Sequence, residues 1–274
     1  MSIKIYISAD IEGVAGVVSP QQGSMGNGEY ERARRLMTQE VNAAIEGAFA
    51  GGATEVLVND AHGDMRNLLP DDLDPRAELI SGKPKLLNMF EGLAPDHAGV
   101  ICLGYHARAR EAGVLAHTTN GFAFGRIRLN DAELGEAGLY GAYAGSLGVP
   151  VIMLSGDDRL KSETQPLFPD ARYAVVKQAI SQRAARSRSP ERARDLIRSE
   201  TEAAVRHAPS SRPFIIEGPY RLEVELNTPA LCDLASVIPS AMRLDAVTVA
   251  FAPESIEHAV RWVNTLSALS AVLR

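Results

Sequence analysis

The chain has 274 residues, 46% of them hydrophobic, and a formal net charge of −6. That composition supplies a full core for one large domain or two smaller ones and excludes a disordered chain. The acidic balance and the lack of a long Lys/Arg tract argue against nucleic acid as a partner, and two cysteines, Cys102 and Cys232, exclude a disulfide framework or a thiolate zinc knuckle.

Residues Ile3 to Ala9 read as a strand that runs straight into Asp10-Ile11-Glu12-Gly13. No signal pattern precedes it and no apolar run reaches membrane-spanning length, so a cytoplasmic protein with no membrane partner is expected. In an extended chain residues i and i+2 point the same way, so Asp10 and Glu12 project together from the strand's carboxyl end. Adjacent anions call for a compensating cation: a metal ion, an arginine or a lysine. The glycine-rich stretch 14–28 reads as a surface loop, either a lid or an ordinary connection, without a phosphate-cradle pattern. From Tyr30 to Ala50 apolar residues recur at helical spacing, and Gly51-Gly52 supply the stop. The strand from Glu55 to Val58 ends in Asn59-Asp60-Ala61-His62 and completes a βαβ unit with parallel strands. A turn-rich stretch follows, with a short strand at Glu78 to Ile80 and a short helix over 86–90. A further apolar run, Gly99 to Leu103, then ends in Gly104-Tyr105-His106.

Parallel strands of an open α/β sheet present their carboxyl ends as one ligand edge, so Asp10, Glu12, His62 and His106 are expected in one place. A carboxylate and imidazole set suits zinc or another divalent first-row metal. His97, His207 and His258 lack this context and read as satisfied core or surface residues.

Beyond His106, Val114 to His117 and Phe122 to Leu129 read as antiparallel strands, with Asn130-Asp131 as a turn. Glu136 then opens a glycine-spaced helical segment, where it serves either as a partner of the helix dipole or as a metal ligand. The buried strand Pro150 to Leu154 leads to Gly156-Asp157-Asp158-Arg159 on the same ligand edge, where metal ligation, support of a ligand, binding of a substrate amine and an ion pair to Arg159 compete. Lys177, after the strand Tyr173 to Val176, is either an anion contact or a solvated side chain. The basic run Arg183 to Arg194 reads as the solvated approach to a helix that Ser189-Pro190 cap and that runs to about His207. After a linker over 209–213 come a half-buried strand over 220–226, a short helix capped by Thr228-Pro229, a strand over 248–251 and an amphipathic helix over 255–273. The expected fold is α/β: a mostly parallel, three-layer sheet domain over 1–190 that carries the metal site, plus a smaller α+β domain over 191–274. The 114–135 hairpin is free to pack with the second domain, which is expected to serve oligomerisation.

The stretches Asp10-Ile11-Glu12-Gly13, Tyr30-Glu31-Arg32, Glu55 to His62, Leu79-Ile80-Ser81-Gly82, Leu103 to Ala109, Gly135-Glu136 and Gly156-Asp157-Asp158-Arg159 resemble, in order, the DppA-type D-aminopeptidases, a family of zinc metallopeptidases. The resemblance implies two Zn2+ per chain, with Asp10 shared by both and Glu12, His62, His106 and Glu136 completing the ligands; another divalent metal is the alternative. It places a catalytic histidine, commonly described as the nucleophile, at His117, although Ala116 and Thr118 stand where the family can have serines. It also implies short peptides with an N-terminal D-residue of the D-Ala type as substrates, and a self-compartmentalising homodecamer.

Two metals bridged by one carboxylate can hold a hydroxide between them and polarise the scissile carbonyl. His117 is then expected to act as general acid/base or to stabilise the tetrahedral intermediate. Asp157 or Asp158 would offer a counter-charge to the substrate amine, and Asp60 is a further substrate-binding or ligand-supporting candidate. The rival enzyme is a dinuclear phosphoesterase, with Arg108, Arg110 and Lys177 for the phosphate; the rival non-enzyme is an assembly protein braced by its metals. A carboxylate-rich set on a ligand edge favours chemistry, and no Gly-x-Ser-x-Gly elbow supports a serine hydrolase.

Overall fold

A computed structural model describes residues 2–274. The chain runs through β1 (Lys4–Ala9), α1 (Gly28–Ala50), β2 (Glu55–Asp60), β3 (Glu78–Ile80), β4 (His97–Leu103), β5 (Phe124–Leu129), β6 (Ala132–Glu133), α2 (Glu136–Ser146) and β7 (Val151–Asp157). It continues through α3 (Asp158–Thr164), β8 (Arg172–Ser181), β9 (Ala184–Ser187), α4 (Pro190–His207), β10 (Leu222–Leu226), α5 (Pro229–Ala235), β11 (Met242–Arg243), β12 (Thr248–Phe251) and α6 (Ile256–Ser270).

Seven strands form the larger sheet in the order β3-β2-β1-β4-β7-β8-β9, parallel except for the antiparallel edge strand β9. Side chains alternate across a strand. Ile5 and Ile7 of β1, with Ile101 and Leu103 of β4, face one apolar layer that also holds Met37, Val41 and Ile45 of α1 and Ile197 and Val205 of α4. Tyr6, Val100 and Cys102 face the opposite layer, shared with α2, α5, α6 and the smaller antiparallel sheet β11-β12-β10-β5-β6. The fold is therefore α/β with a second antiparallel sheet.

Local chemistry sets the helix ends. Asn27 caps α1 through its side chain, Ser189 caps α4 ahead of Pro190, Thr228 caps α5 ahead of Pro229, and Ser255 caps α6. Gly52, at φ +106°, takes the chain out of α1 in the left-handed region where glycine is favoured. Helix α4 packs against α1 on the larger sheet, and β5 pairs with β10, so segments from both sides of residue 190 are shared between the two sheets.

The structure differs from the expected hairpin at 114–117. Val114 gives its amide to Asp157 Oδ2 (2.8 Å) and Leu115 gives its amide to the Gln182 carbonyl (2.9 Å), so this apolar run is a loop with no strand partner. The turn at Asn130, φ +54°, does form, between β5 and the two-residue β6. The 86–90 segment is a single tight turn over Asn88–Phe90.

Candidate metal centre

In the larger sheet the neighbours of β1 are β2 and β4, so the strand order reverses at β1. A crevice opens at such a switch point, beyond the carboxyl ends of the strands. Pairing between β1 and β4 continues past the strand ends: Asp10 donates its amide to Leu103 (2.8 Å) and Gly13 donates to Gly104 (2.7 Å). A Cβ on Gly13 would overlap the Tyr105 carbonyl, and Gly104 sits at φ +69° with no space beside the Asp10 carbonyl. These two glycines let the Asp10–Gly13 turn lie flat against the 104–105 turn, which brings the residues after β1 and β4 together.

The structure brings all five expected ligands and His117 to this crevice. His62 Nδ1 lies 3.1 Å from Asp10 Oδ1 and 3.0 Å from Glu12 Oε2. His106 Nε2 lies 3.5 Å from Asp10 Oδ2 and 3.2 Å from Glu136 Oε2. Each oxygen of Asp10 thus faces a different histidine and glutamate pair. His117 Nε2 stands 4.0 Å from Glu12 Oε1 and 3.8 Å from Glu136 Oε1, its ring stacked on that of His106 at 4.2 Å. Glu136 comes from the first turn of α2, and its Oε1 accepts the Thr119 amide at 2.5 Å.

Hydrogen bonds on the far side of each ring leave one nitrogen directed inward. His62 Nε2 lies 2.8 Å from the Gly23 carbonyl, His106 Nδ1 2.9 Å from the Ala107 carbonyl and His117 Nδ1 2.9 Å from the Leu115 carbonyl. A carbonyl can only accept, so these nitrogens carry a proton, and in the neutral rings His62 Nδ1, His106 Nε2 and His117 Nε2 are the atoms that offer a lone pair. Asp10, Glu12, His106 and Glu136 are buried. Among the described residues, Glu12 Oε2, His106 Nε2 and Glu136 Oε2 are buried without a hydrogen-bond partner. Unpartnered buried polar atoms are costly, and their convergence here fits a cation. Potential ligand atoms within 4.8 Å of one another form the sets Asp10, Glu12, His62 and Asp10, His106, Glu136, with a further set of Glu12, His106, His117. Oxygen and imidazole nitrogen without thiolate fit zinc or a similar divalent ion.

The electrostatics point the same way. Burial opposes charge on Asp10, but the imidazoles of His106 and His62 outweigh it and hold the carboxyl well below the ordinary carboxylate range. Burial also disfavours both imidazolium forms. Even so, Glu12 and Asp10 hold His62 well above the ordinary imidazole range, and Glu136 and Asp10 do the same for His106. Protons and a divalent metal therefore compete for the same nitrogens, so metal affinity falls as the solution becomes acid.

The other candidates lie elsewhere. Asp60 is fully buried, and its oxygens accept the amides of Asn67 (2.6 Å) and Leu68 (2.8 Å) and the Asn67 side chain (2.7 Å). Asp157 accepts the amides of Val114, Arg159 and Leu160. Asp158 accepts the Ala179 amide (2.7 Å) and stands 3.8 Å from Arg159. All three brace backbone and none lines the cavity above the centre. The cations of the phosphoester reading are also engaged: Arg108 with Glu111 and Glu133, Arg110 with Glu225, and Lys177 buried against main-chain carbonyls. The solvated reading of Lys177 is thus corrected.

A cavity of about 800 Å3 opens over the centre. Pro20, Gly23 and Ser24 of the 14–28 loop, Thr119 and Phe122 beyond His117, and Arg183 contribute to its walls. Sequence reasoning missed Gly23, whose carbonyl orients His62, and Thr119, which is held in the left-handed region at φ +58° with its hydroxyl buried and unpartnered. A glycine-rich loop and the proximity of Thr119 to His117 were the only signals for them.

Carboxylates and imidazoles converging at the switch point of a parallel sheet, under an open cavity, define a metal-binding α/β enzyme. A profile of the D-aminopeptidase family matches residues 3–265. The chain is 36% identical over 269 residues to the D-aminopeptidase of Bacillus subtilis (strain 168), with 98% of each chain covered. It is also similar to the solved structure of the Zn-dependent D-aminopeptidase DppA from Bacillus subtilis, a self-compartmentalizing protease, at a TM-score of 0.95 and 35% identity over 98% of each chain. The chain belongs to the D-aminopeptidase family.

Proposed function

We propose that this protein is a zinc-dependent aminopeptidase that releases N-terminal D-residues of the D-Ala type from short peptides. Two zinc ions would be held by Asp10, Glu12, His62, His106 and Glu136. The observation that carries this reading is the division of Asp10, whose Oδ1 and Oδ2 face separate histidine and glutamate pairs. Bound zinc supplies an activated water and a Lewis acid for the scissile carbonyl.

The chain's own groups do the rest. His117 gives its Nδ1 proton to the Leu115 carbonyl and presents a bare Nε2 to the cavity, where it accepts a proton from the attacking water and returns it to the leaving amine. Stacking on His106 fixes the plane of that ring. Glu136 is held in place by the Thr119 amide and cannot swing away from the centre. Arg183 and Arg274 line the cavity and provide counter-charge for the carboxylate of a short peptide. The 14–28 loop, tied to His62 through Gly23, closes one side of the cavity.

The relative's self-compartmentalizing character supports a homo-oligomer for this chain, and the decamer expected from the family resemblance is the assembly proposed. The 191–274 segment is the proposed assembly domain, supported by the exposed apolar side chains of Val237, Met242 and Leu244. No helix among the described residues is long and apolar enough to cross a membrane, and a cytoplasmic location remains the proposal.

The test uses metal-stripped protein reconstituted with zinc, incubated in parallel with D-Ala-D-Ala and L-Ala-L-Ala. Zinc-dependent release of D-alanine from the first peptide alone is expected. Turnover of neither peptide by zinc-loaded protein would overturn the reading.

A further inference from the structure

Lys177 is a lysine in β8 with 2% of its surface exposed. An ammonium removed from water this completely is tolerated only when its protons find acceptors. It donates to the carbonyls of Glu12 (2.5 Å), Val14 (3.0 Å) and Val17 (2.6 Å). An ammonium has three protons, and all three go to one segment, the turn that follows Asp10. From α1, Glu40 accepts the Ala15 amide of the same turn (2.9 Å). The 12–17 turn is thus gripped through its carbonyls by a cation and through an amide by a carboxylate, and neither grip reaches the cavity.

Glu12 has no main-chain strand to hold it, because β1 ends at Ala9. Its carbonyl is fixed by Lys177, and the Gly13 amide that follows is fixed by Gly104. With both sides of that peptide unit pinned, the Glu12 side chain leaves the backbone in one direction, towards His62 and His117. Asp10 follows β1 directly with its amide on Leu103, His106 follows Tyr105, whose amide is held by Ser155 of β7 (3.0 Å), and Glu136 opens α2, so none of these three depends on the 12–17 turn.

We infer that Lys177 is a positioning residue for metal binding, setting the affinity of the position formed by Asp10, Glu12 and His62 and leaving that formed by Asp10, His106 and Glu136 unaffected. The inference rests on the reading that both ligand sets take a metal. Removing a group that orients a ligand typically weakens metal affinity roughly 10- to 100-fold.

The experiment is zinc titration of metal-free protein against a chromophoric chelator, comparing the parent with Lys177→Met. Circular dichroism and gel filtration confirm that the variant is folded. If the methionine variant does not fold, Lys177→Gln, which keeps two N–H donors, replaces it. Val224→Ala, a buried truncation in the second sheet, controls for lost stability alone. The expected result is a parent with two binding steps, a Lys177 variant in which one step weakens roughly tenfold or more while the other is unchanged, and a Val224 variant that melts earlier with both steps intact. A folded Lys177 variant with both steps unchanged, or with both weakened equally, overturns the inference. A parent that takes a single zinc overturns the two-position reading instead, and Lys177 is then judged on whether that one affinity weakens.

Discussion

Asp157→Asn separates two roles of one carboxylate. In the parent, Oδ1 accepts the amides of Arg159 (3.1 Å) and Leu160 (2.8 Å) and so caps α3, while Oδ2 accepts the amide of Val114 (2.8 Å). An asparagine that keeps its oxygen on the cap turns its NH2 group towards the Val114 amide, donor against donor. Val114 is fully buried, so its amide then has no partner, at a loss of roughly 1–3 kcal/mol. The opposite orientation keeps Val114 and forfeits the cap, at about 0.5–2 kcal/mol. Either way the metal-free protein should melt earlier, by roughly 2–4 °C for each kcal/mol lost. Asp157→Ala loses all three bonds and should melt earlier still. Val114 starts the segment whose Leu115 carbonyl holds His117, so the asparagine variant should also lose kcat while KM changes little. Calorimetry and steady-state kinetics on the same preparations measure both effects. An asparagine variant that melts with the parent and turns over at the parental rate would refute the claim that this carboxylate hangs the His117 loop from β7.

Other substitutions test other parts of the site. His117→Ala should lower kcat by roughly 10²–10⁴-fold while zinc content is retained, and a variant that keeps full turnover, or a covalent adduct trapped on His117 in the parent, would remove the proton-transfer role. Gly13→Ala would drive a methyl group into the main chain at 104–105; about 1–3 kcal/mol of stability and part of the zinc affinity should be lost, as read by melting and chelator competition. Burial pushes the Glu40 carboxyl from 4.5 up to about 7. Its folded pKa therefore lies above the unfolded one, and the stability it contributes is present below about 4.5 and is lost as pH rises through about 7. Glu40→Gln, which mimics the protonated form, should flatten the melting temperature of the metal-free protein across that window, and an unchanged pH profile would contradict the assignment. Zinc at about 100 times its Kd should stabilise the stripped protein by roughly 2.7 kcal/mol per site, and no rise in melting temperature would count against a metal site.

Asp10, Glu12, His62 and His106 were legible because each stands just beyond an apolar run, and parallel sheets gather such ends at one edge. Glu136 could not be separated from an ordinary helix-dipole partner by spacing alone, since its contacts with His106 and Thr119 come from other parts of the chain. Asp60 shows the limit of reasoning from strand ends. It closes β2 as Asp10 follows β1, yet side chains alternate, and Asp60 falls on the α1 face, where Asn67 and Leu68 occupy it. The 114–117 run has the composition of a strand, but its amides are claimed by Asp157 and Gln182, partners no local pattern reveals. Lys177 was misread for the same reason, because the carbonyls it serves follow β1 at the far end of the sequence.

The central claim is that one carboxylate, Asp10, joins two metal positions in this chain. Anomalous diffraction from zinc-soaked crystals, recorded on both sides of the zinc absorption edge, tests it most directly. The account predicts two peaks in each subunit, one against Asp10, Glu12 and His62 and the other against Asp10, His106 and Glu136. A single peak, or zinc bound away from Asp10, would contradict it.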